Sequence, residues 1–239
     1  MAIVNRESLP GYLRDANIRT SELLEDQFFQ GSVTLDATKW ATTLTVGGTI
    51  AVDISSRKAR TLLGAGAGSG AHLRTAGVTF DVASNWVMDM EGIFGVNPVG
   101  DSEFFFGFTD APGDPLAASD FIGFYINGAE LGAGGNRNAN VRLVSRVASG
   151  TVVNHDTAIE VSPDVAAAAT PEDFSLRIDM GSAAAPQFYV NGTNATPAIT
   201  FSDLSGVGMT PVCGLFSAAG SDPSRLDLDF IRIYRDKIA

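Results

Sequence analysis

The residues of this 239-residue chain whose types and spacing could do chemistry are mostly carboxylates. Asp89 and Glu91 stand two apart in Trp86-Val-Met-Asp-Met-Glu91, where Trp86, Met88 and Met90 alternate with Val87, Asp89 and Glu91. That period of two belongs to a strand with one wet face, so both carboxylates project to the same side. Retaining glycoside hydrolysis needs two carboxyl groups about 5 Å apart, and alternate strand residues come close to that. The same pair also suits an ordinary solvated strand face, which is the expectation here. Asp227 and Asp229 repeat the spacing near the C-terminus, and Asp110, Asp114 and Asp120 are loosely grouped oxygen donors. Neither set has EF-hand spacing, so solvated turns are expected rather than bound calcium. His72 and His155 lie far apart with no second His or Cys beside either, which argues against a zinc site or a catalytic triad. Cys213 is the single cysteine, read as a small buried hydrophobe, and it excludes an internal disulfide. Gly64 to Gly70 is a glycine-rich loop without the Gly-Lys-Ser/Thr ending of a phosphate-binding loop. No catalytic, metal or cofactor residue is assigned.

The elements that must position these residues are strands. Six of the fifteen Phe fall between Phe104 and Phe124, in Phe104-Phe-Phe-Gly-Phe-Thr-Asp110 and Phe121-Ile-Gly-Phe-Tyr-Ile-Asn127. These runs are apolar on both faces, as a strand inside a two-sheet core would be, and aromatic bulk suits a pleated surface. Gly107 and Gly123 interrupt them where a facing aromatic or backbone must come close. The cleanest alternation is Phe174-Ser-Leu-Arg-Ile-Asp-Met180, with Phe174, Leu176, Ile178 and Met180 expected inside and Ser175, Arg177 and Asp179 outside. Phe188-Tyr-Val-Asn-Gly192 ends in a tight-turn signal, and Asn191-Gly-Thr193 and Asn194-Ala-Thr196 read as turn chemistry. Trp86 shares a face with Met88 and Met90 and is expected in the core rather than on a sugar-stacking platform.

Composition agrees with one β-rich body. There are 26 Gly and 10 Pro for turns, and the net charge of −11 argues against nucleic acid or an anionic membrane as partner. No run approaches the ~18 apolar residues of a membrane helix. The N-terminus lacks the apolar core of a secretion signal. Residues 1–30 differ from the remainder and are read as an arm, with residues 31–239 as the sandwich domain. Ser21 could cap a short helix to Phe29, with Leu24 and Phe28 on one face. Leu9, Tyr12, Leu13, Ile18, Leu24 and Phe28 are the arm's candidate anchors for a receiving surface.

The order of elements resembles a family. Gly-Ser-Val-Thr-Leu-Asp-Ala-Thr-Lys-Trp40, Phe-Phe-Gly-Phe108, Phe-Tyr-Val-Asn-Gly192 and Leu-Asp-Leu-Asp-Phe-Ile-Arg-Ile-Tyr234 look like concanavalin A-like jelly rolls, over residues 28 to 236. That superfamily holds legume lectins, laminin-G-like modules and family-16 glucanases. The resemblance implies an all-β sandwich of two antiparallel sheets, here preceded by the arm with its short helix. Family-16 glucanases carry Glu-x-Asp-x-Glu on one strand; here Asp89 and Glu91 alternate, but Val87 and Ile93 hold the flanking positions of that face. A jelly roll behind an N-terminal arm also resembles structural proteins of tailed bacteriophages.

The function expected from this resemblance is that of a non-enzymatic virion structural protein. A capsid decoration or cement protein comes first and a tail or fibre component close behind. Such a protein would be made in the host cytoplasm and assembled with other virion proteins or with copies of itself. A carbohydrate-binding module for host attachment, with a glycan as partner, is the second reading, and a family-16-like glycoside hydrolase the third.

Overall fold

The computed structural model describes residues 23–26, 28, 34–53, 58–62, 68–76, 80–81, 86–94, 102–111, 117–126, 140–160, 173–181, 185–197, 201, 203–217 and 225–235, and the account below concerns these. The strands, in chain order, are β1 (Leu23–Asp26), β2 (Trp40–Thr45), β3 (Thr49–Asp53), β4 (Lys58–Leu62), β5 (Gly70–Thr75), β6 (Phe80–Asp81), β7 (Trp86–Phe94) and β8 (Ser102–Thr109). They continue with β9 (Phe121–Ile126), β10 (Asn140–Arg146), β11 (Val153–Glu160), β12 (Asp173–Asp179), β13 (Gln187–Val190), β14 (Thr193–Asn194), β15 (Gly208–Ser217) and β16 (Arg225–Arg235).

Two antiparallel sheets result, as the jelly-roll reading expects. One runs β14-β13-β12-β7-β16-β4-β3, with β1 added beside β16; the other runs β11-β10-β9-β8-β15-β5-β2, with β6 added beside β15. We call them the first and second sheet. Between them lies one large apolar cluster. Met88 and Met90 of β7, Phe174, Leu176 and Ile178 of β12, and Ile231 and Ile233 of β16 meet Phe104, Phe106 and Phe108 of β8 and Ile122, Phe124 and Ile126 of β9. Trp40 and Trp86 both belong to this core. The alternation of β12 holds: Phe174, Leu176, Ile178 and Met180 are buried, while Ser175, Arg177 and Asp179 are partly exposed.

The second sheet is apolar on its outer face as well. Phe105, Phe121, Tyr125, Val144, Val212 and Phe216 form a separate cluster there with Ala118, and Ala111 packs against it. Their strand neighbours belong to the main core, so alternation alone sends these side chains to the other side. Gly107 of β8 stands opposite Gly123 of β9 in this sheet. A Cβ on Gly107 would run into the Ile122 carbonyl, and one on Gly123 into the Phe106 carbonyl and the Phe105 ring. Two glycines side by side are what lets the aromatic strands close up.

One expectation about the arm is corrected. Within the segment read as a helix, Leu23–Asp26 is strand β1, paired antiparallel with β16 from Leu23↔Tyr234 to Asp26↔Ile231. The edge of β16 offers backbone donors and acceptors that a one- or two-turn helix would have to find within itself, and so short a helix is marginal in water. The other residues of that segment, save Phe28, and residues 1–22 lie outside the described residues.

Replacing Ile178 by Ala removes a fully buried side chain between Met88 and Phe188 in register. The expected cost is about 2–5 kcal/mol. Urea unfolding should show a lower midpoint with an unchanged slope, since the surface exposed on unfolding is nearly the same.

Candidate functional site

The chemistry collects on the outer face of the first sheet, where β7, β12, β13 and β16 lie side by side. Because residues opposite each other in a ladder share a face, the registers Tyr189↔Arg177, Arg177↔Asp89 and Arg232↔Asp89 align four side chains in one row across four strands. The next row holds Ser175↔Glu91 and Phe230↔Glu91. Asn191 and Gly192 follow β13 in a tight turn with positive φ at both residues. The turn is pinned to β12 by Asn191 N donating to the Ser175 carbonyl (2.9 Å) and Ser175 N donating to Asn191 Oδ1 (2.9 Å).

Phe230 reaches this face through an irregularity. The register of β16 against β7 shifts between Leu228 and Phe230. Leu226 and Leu228 point into the core before the shift, and Ile231 and Ile233 after it. Strict alternation would have buried Phe230 with the leucines. The bulge turns it outward, where it stays half-buried as one wall of a cavity.

That cavity has a volume of about 490 Å³. Tyr189 and Phe230 flank it, and Asp89, Glu91 and Arg177 line it with the small residues Ser175, Asn191 and Gly192. Tyr189 and Phe230 stand three strand spacings apart on the sheet, roughly 14 Å. Both residues therefore line one aromatic-flanked groove. Asp89 is 4% exposed. Its Oδ2 accepts a hydrogen bond from Arg232 Nη2, and Arg177 Nε lies 3.8 Å from its Oδ1. Oδ1 itself is buried and accepts no hydrogen bond, and Arg177 Nε donates none. Burial pushes the Asp89 carboxyl above the ordinary aspartate range, against the pull of the Arg232 and Arg177 guanidiniums. Arg177 donates from Nη2 to Asp179 Oδ2 (3.1 Å), and its guanidinium carbon sits 5.6 Å from the centre of the Tyr189 ring. Arg232 lies over the Tyr234 ring at 4.9 Å, and burial, with Asp89 nearby, pushes the Tyr234 hydroxyl up.

The other sequence candidates are placed differently. Asp227 accepts from Arg60 (2.9 Å) and Arg225 (2.9 Å), and Asp229 pairs with Lys58 at 3.0 Å, so that alternating pair is taken up by cations of β4 and β16. Asp110 Oδ1 accepts from Asp120 N and Asp120 Oδ1 from Ala148 N, which pins two turns together; Asp114 lies outside the described residues. Among the described residues no three His, Cys, Asp or Glu converge as metal ligands. His72 is buried beside Phe216, ring centres 5.8 Å apart, whereas His155 lies on edge strand β11. Cys213 is buried with its Sγ 3.9 Å from Met90 Sδ, and burial pushes its thiol up. Of the arm's candidate anchors, Leu9, Tyr12, Leu13 and Ile18 lie outside the described residues. Leu24 stands opposite Ile233 in β1, and Phe28 is buried with its ring 6.5 Å from that of Trp40.

No protein-family model and no curated protein matches the sequence. Solved structures do match the fold. An immunostimulatory antigen and pseudo β-1,3-glucanase of Mycobacterium tuberculosis superposes with a TM-score of 0.60 and 14% identity, over 89% of this chain and 98% of that one. A family-16 glycosyl hydrolase from Mycobacterium smegmatis gives 0.57 and 15%, over 88% and 98%. The catalytic domain of an endo-1,3-β-glucanase (laminarinase) from Thermotoga petrophila gives 0.60 and 11%, over 90% and 97%. These likenesses establish the concanavalin A-like jelly roll. They also correct the functional expectation. The reading as a non-enzymatic virion structural protein, a capsid decoration or cement protein, gives way, because structures sharing this sandwich include a family-16 glycosyl hydrolase and a laminarinase catalytic domain. The virion analogy rested on an arm ahead of a jelly roll, a feature that carries no chemistry.

Asp89 and Arg232 make a buried ion pair, so breaking it from one side is expensive. Replacing Arg232 by Met should lower the unfolding free energy by about 3–5 kcal/mol. Replacing both partners, Asp89→Leu with Arg232→Met, should recover most of that loss, as equilibrium unfolding of the three variants and the wild type would show.

Proposed function

We propose that the chain is a glycoside hydrolase acting on a β-glucan by a retaining mechanism at the groove of the first sheet. The observation that carries this reading is that Asp89 and Glu91 line one cavity between Tyr189 and Phe230. Their Cα atoms are two residues apart on one strand, about 6–7 Å. Side chains from such positions can bring their carboxyl groups to the roughly 5 Å that retaining chemistry requires. Tyr189 and Phe230 supply apolar faces of the kind on which sugar rings stack.

The two environments divide the roles. A general acid needs the higher proton affinity of the two carboxyls and a nucleophile the lower. Asp89 is the buried carboxyl, whose proton affinity burial raises, and it takes the acid's role. Glu91 is half-buried at the cavity, nearer to water, and is the nucleophile. In the first step Asp89 gives its proton to the glycosidic oxygen and the leaving sugar departs. Glu91 bonds to the anomeric carbon in its place. The Arg232 guanidinium on Oδ2 stabilises the carboxylate that Asp89 becomes. In the second step that carboxylate takes a proton from water as the water oxygen attacks the anomeric carbon, which frees Glu91 and restores the acid. The glucan chain enters from the Tyr189 side or the Phe230 side and crosses the strands, because both aromatic walls lie on that line.

Reducing-sugar release from a soluble β-1,3-glucan tests the reading. Wild-type protein should release reducing ends, and Glu91→Gln should lose at least about 100-fold, the scale of a lost acid–base or nucleophilic group. Glu91→Gln should melt as the wild type does. Absence of turnover in the wild type, or full activity in the Glu91 variant, would overturn it.

A further inference from the structure

One side chain covers both features that the proposed chemistry needs. Arg177 Nε stands 3.8 Å from Asp89 Oδ1, and the same guanidinium lies over the Tyr189 ring at 5.6 Å. Asp89 is almost completely buried, while the Arg177 side chain is 30% exposed, so Arg177 is the outer member of the pair. Oδ1 is the oxygen that must reach a glycosidic bond, and the Tyr189 face is where a sugar ring would stack. Oδ1 is buried with Arg177 in this position, and the guanidinium takes up part of the Tyr189 face. Beyond the Asp89 charge and the Tyr189 ring, it is held by one hydrogen bond, from Nη2 to Asp179 Oδ2 (3.1 Å); its Nε donates none, and Asp179 is itself partly exposed. Asp89 keeps a second, hydrogen-bonded partner in Arg232 whatever Arg177 does.

We propose that Arg177 is a side-chain gate over Asp89, anchored shut by Asp179, and that a sugar ring opens it by taking its place on Tyr189. The proposal rests on the reading of the groove as a glycan site. It makes Arg177 a positioning residue: the glucan must displace the guanidinium before Asp89 can touch the scissile bond. Binding to a protein that is mostly closed is weakened by the closed fraction, so loosening the anchor should tighten apparent binding rather than loosen it. An arginine present only to hold the sheet together would give the opposite result.

Two measurements on the full chain decide it. In the first, carbodiimide with an amine nucleophile labels accessible carboxyl groups, and peptide mass spectrometry follows Asp89. Labelling of Asp89 should rise about tenfold in Arg177→Ala and in Asp179→Asn, and less in Arg177→Lys, whose ammonium can still lie over the carboxyl. Asp179→Asn leaves Arg177 and the ion pair with Arg232 in place, so it keeps the test valid if Arg177→Ala folds poorly. In the second, hydrolysis of the soluble β-1,3-glucan should show KM falling severalfold in Asp179→Asn with kcat within about twofold of the wild type. Unchanged Asp89 labelling in both variants would overturn the gate, whether or not glucan is cleaved. Increased labelling with no glucan turnover in the wild type would retain the gate and overturn the hydrolase reading. Increased labelling with an unchanged or higher KM would overturn displacement by the sugar.

Discussion

The buried charge of Asp89 constrains everything on the outer face of the first sheet. A carboxylate taken out of water costs several kcal/mol unless it is paired and hydrogen-bonded. Arg232 and Arg177 answer that cost from the strands on either side, and both stand opposite Asp89 in the ladders. The pairing works only in this register. A one-residue slip of β12 or β16 against β7 would turn an arginine into the core and leave Asp89 alone. The apolar side imposes the same register through Met88, Met90, Leu176, Ile178, Ile231 and Ile233. Charge on one face and packing on the other thus select a single alignment of three strands, and the groove is a product of that alignment.

The bulge in β16 is the second determinant. It lets one strand serve two different needs along its length. Before the shift, Asp227 and Asp229 face the cations Arg60, Arg225 and Lys58 while Leu226 and Leu228 fill the core. After it, Arg232 and Tyr234 face Asp89 and Val87 while Ile231 and Ile233 fill the core. Phe230 falls at the change and becomes a wall of the cavity. Without the extra residue, the second half of the strand would present its isoleucines to water and its arginine to the core.

The strands and their faces were legible because period two is a direct consequence of the pleat. Phe174 to Met180 read correctly from alternation alone, and so did the aromatic strands around Gly107 and Gly123. The groove was not legible, because its parts come from four strands distant in sequence and their meeting depends on register. Asp89 and Glu91 carried the right spacing, but spacing cannot distinguish a solvated face from one enclosed by Tyr189, Arg177 and Phe230. A signal for Phe230 was present. The run Leu226-Asp-Leu-Asp-Phe-Ile-Arg-Ile-Tyr234 breaks its alternation at Phe230-Ile231, and two neighbouring apolar residues inside an alternating strand mark a bulge. The helix read at Ser21 to Phe29 failed over Leu23–Asp26 for a complementary reason: capping and i, i+4 spacing are local, while an open strand edge is supplied by the far end of the chain.

The two outer faces of the sandwich differ in what they offer the proposed chemistry. On the second sheet, Phe105, Phe121, Tyr125, Val144, Val212 and Phe216 fill the outer face and are almost fully buried. No two carboxylates stand at alternate positions along any of that sheet's described strands. The proposed retaining hydrolysis needs such a pair on a face that a ligand can approach. On the first sheet two pairs exist, and the cations of β4 and β16 have taken Asp227 and Asp229. Asp89 and Glu91 are the pair that lines a cavity, and Asp89 has an arginine on each side. On the proposed hydrolase reading, their different surroundings suit a two-step displacement, whose acid and nucleophile play different parts.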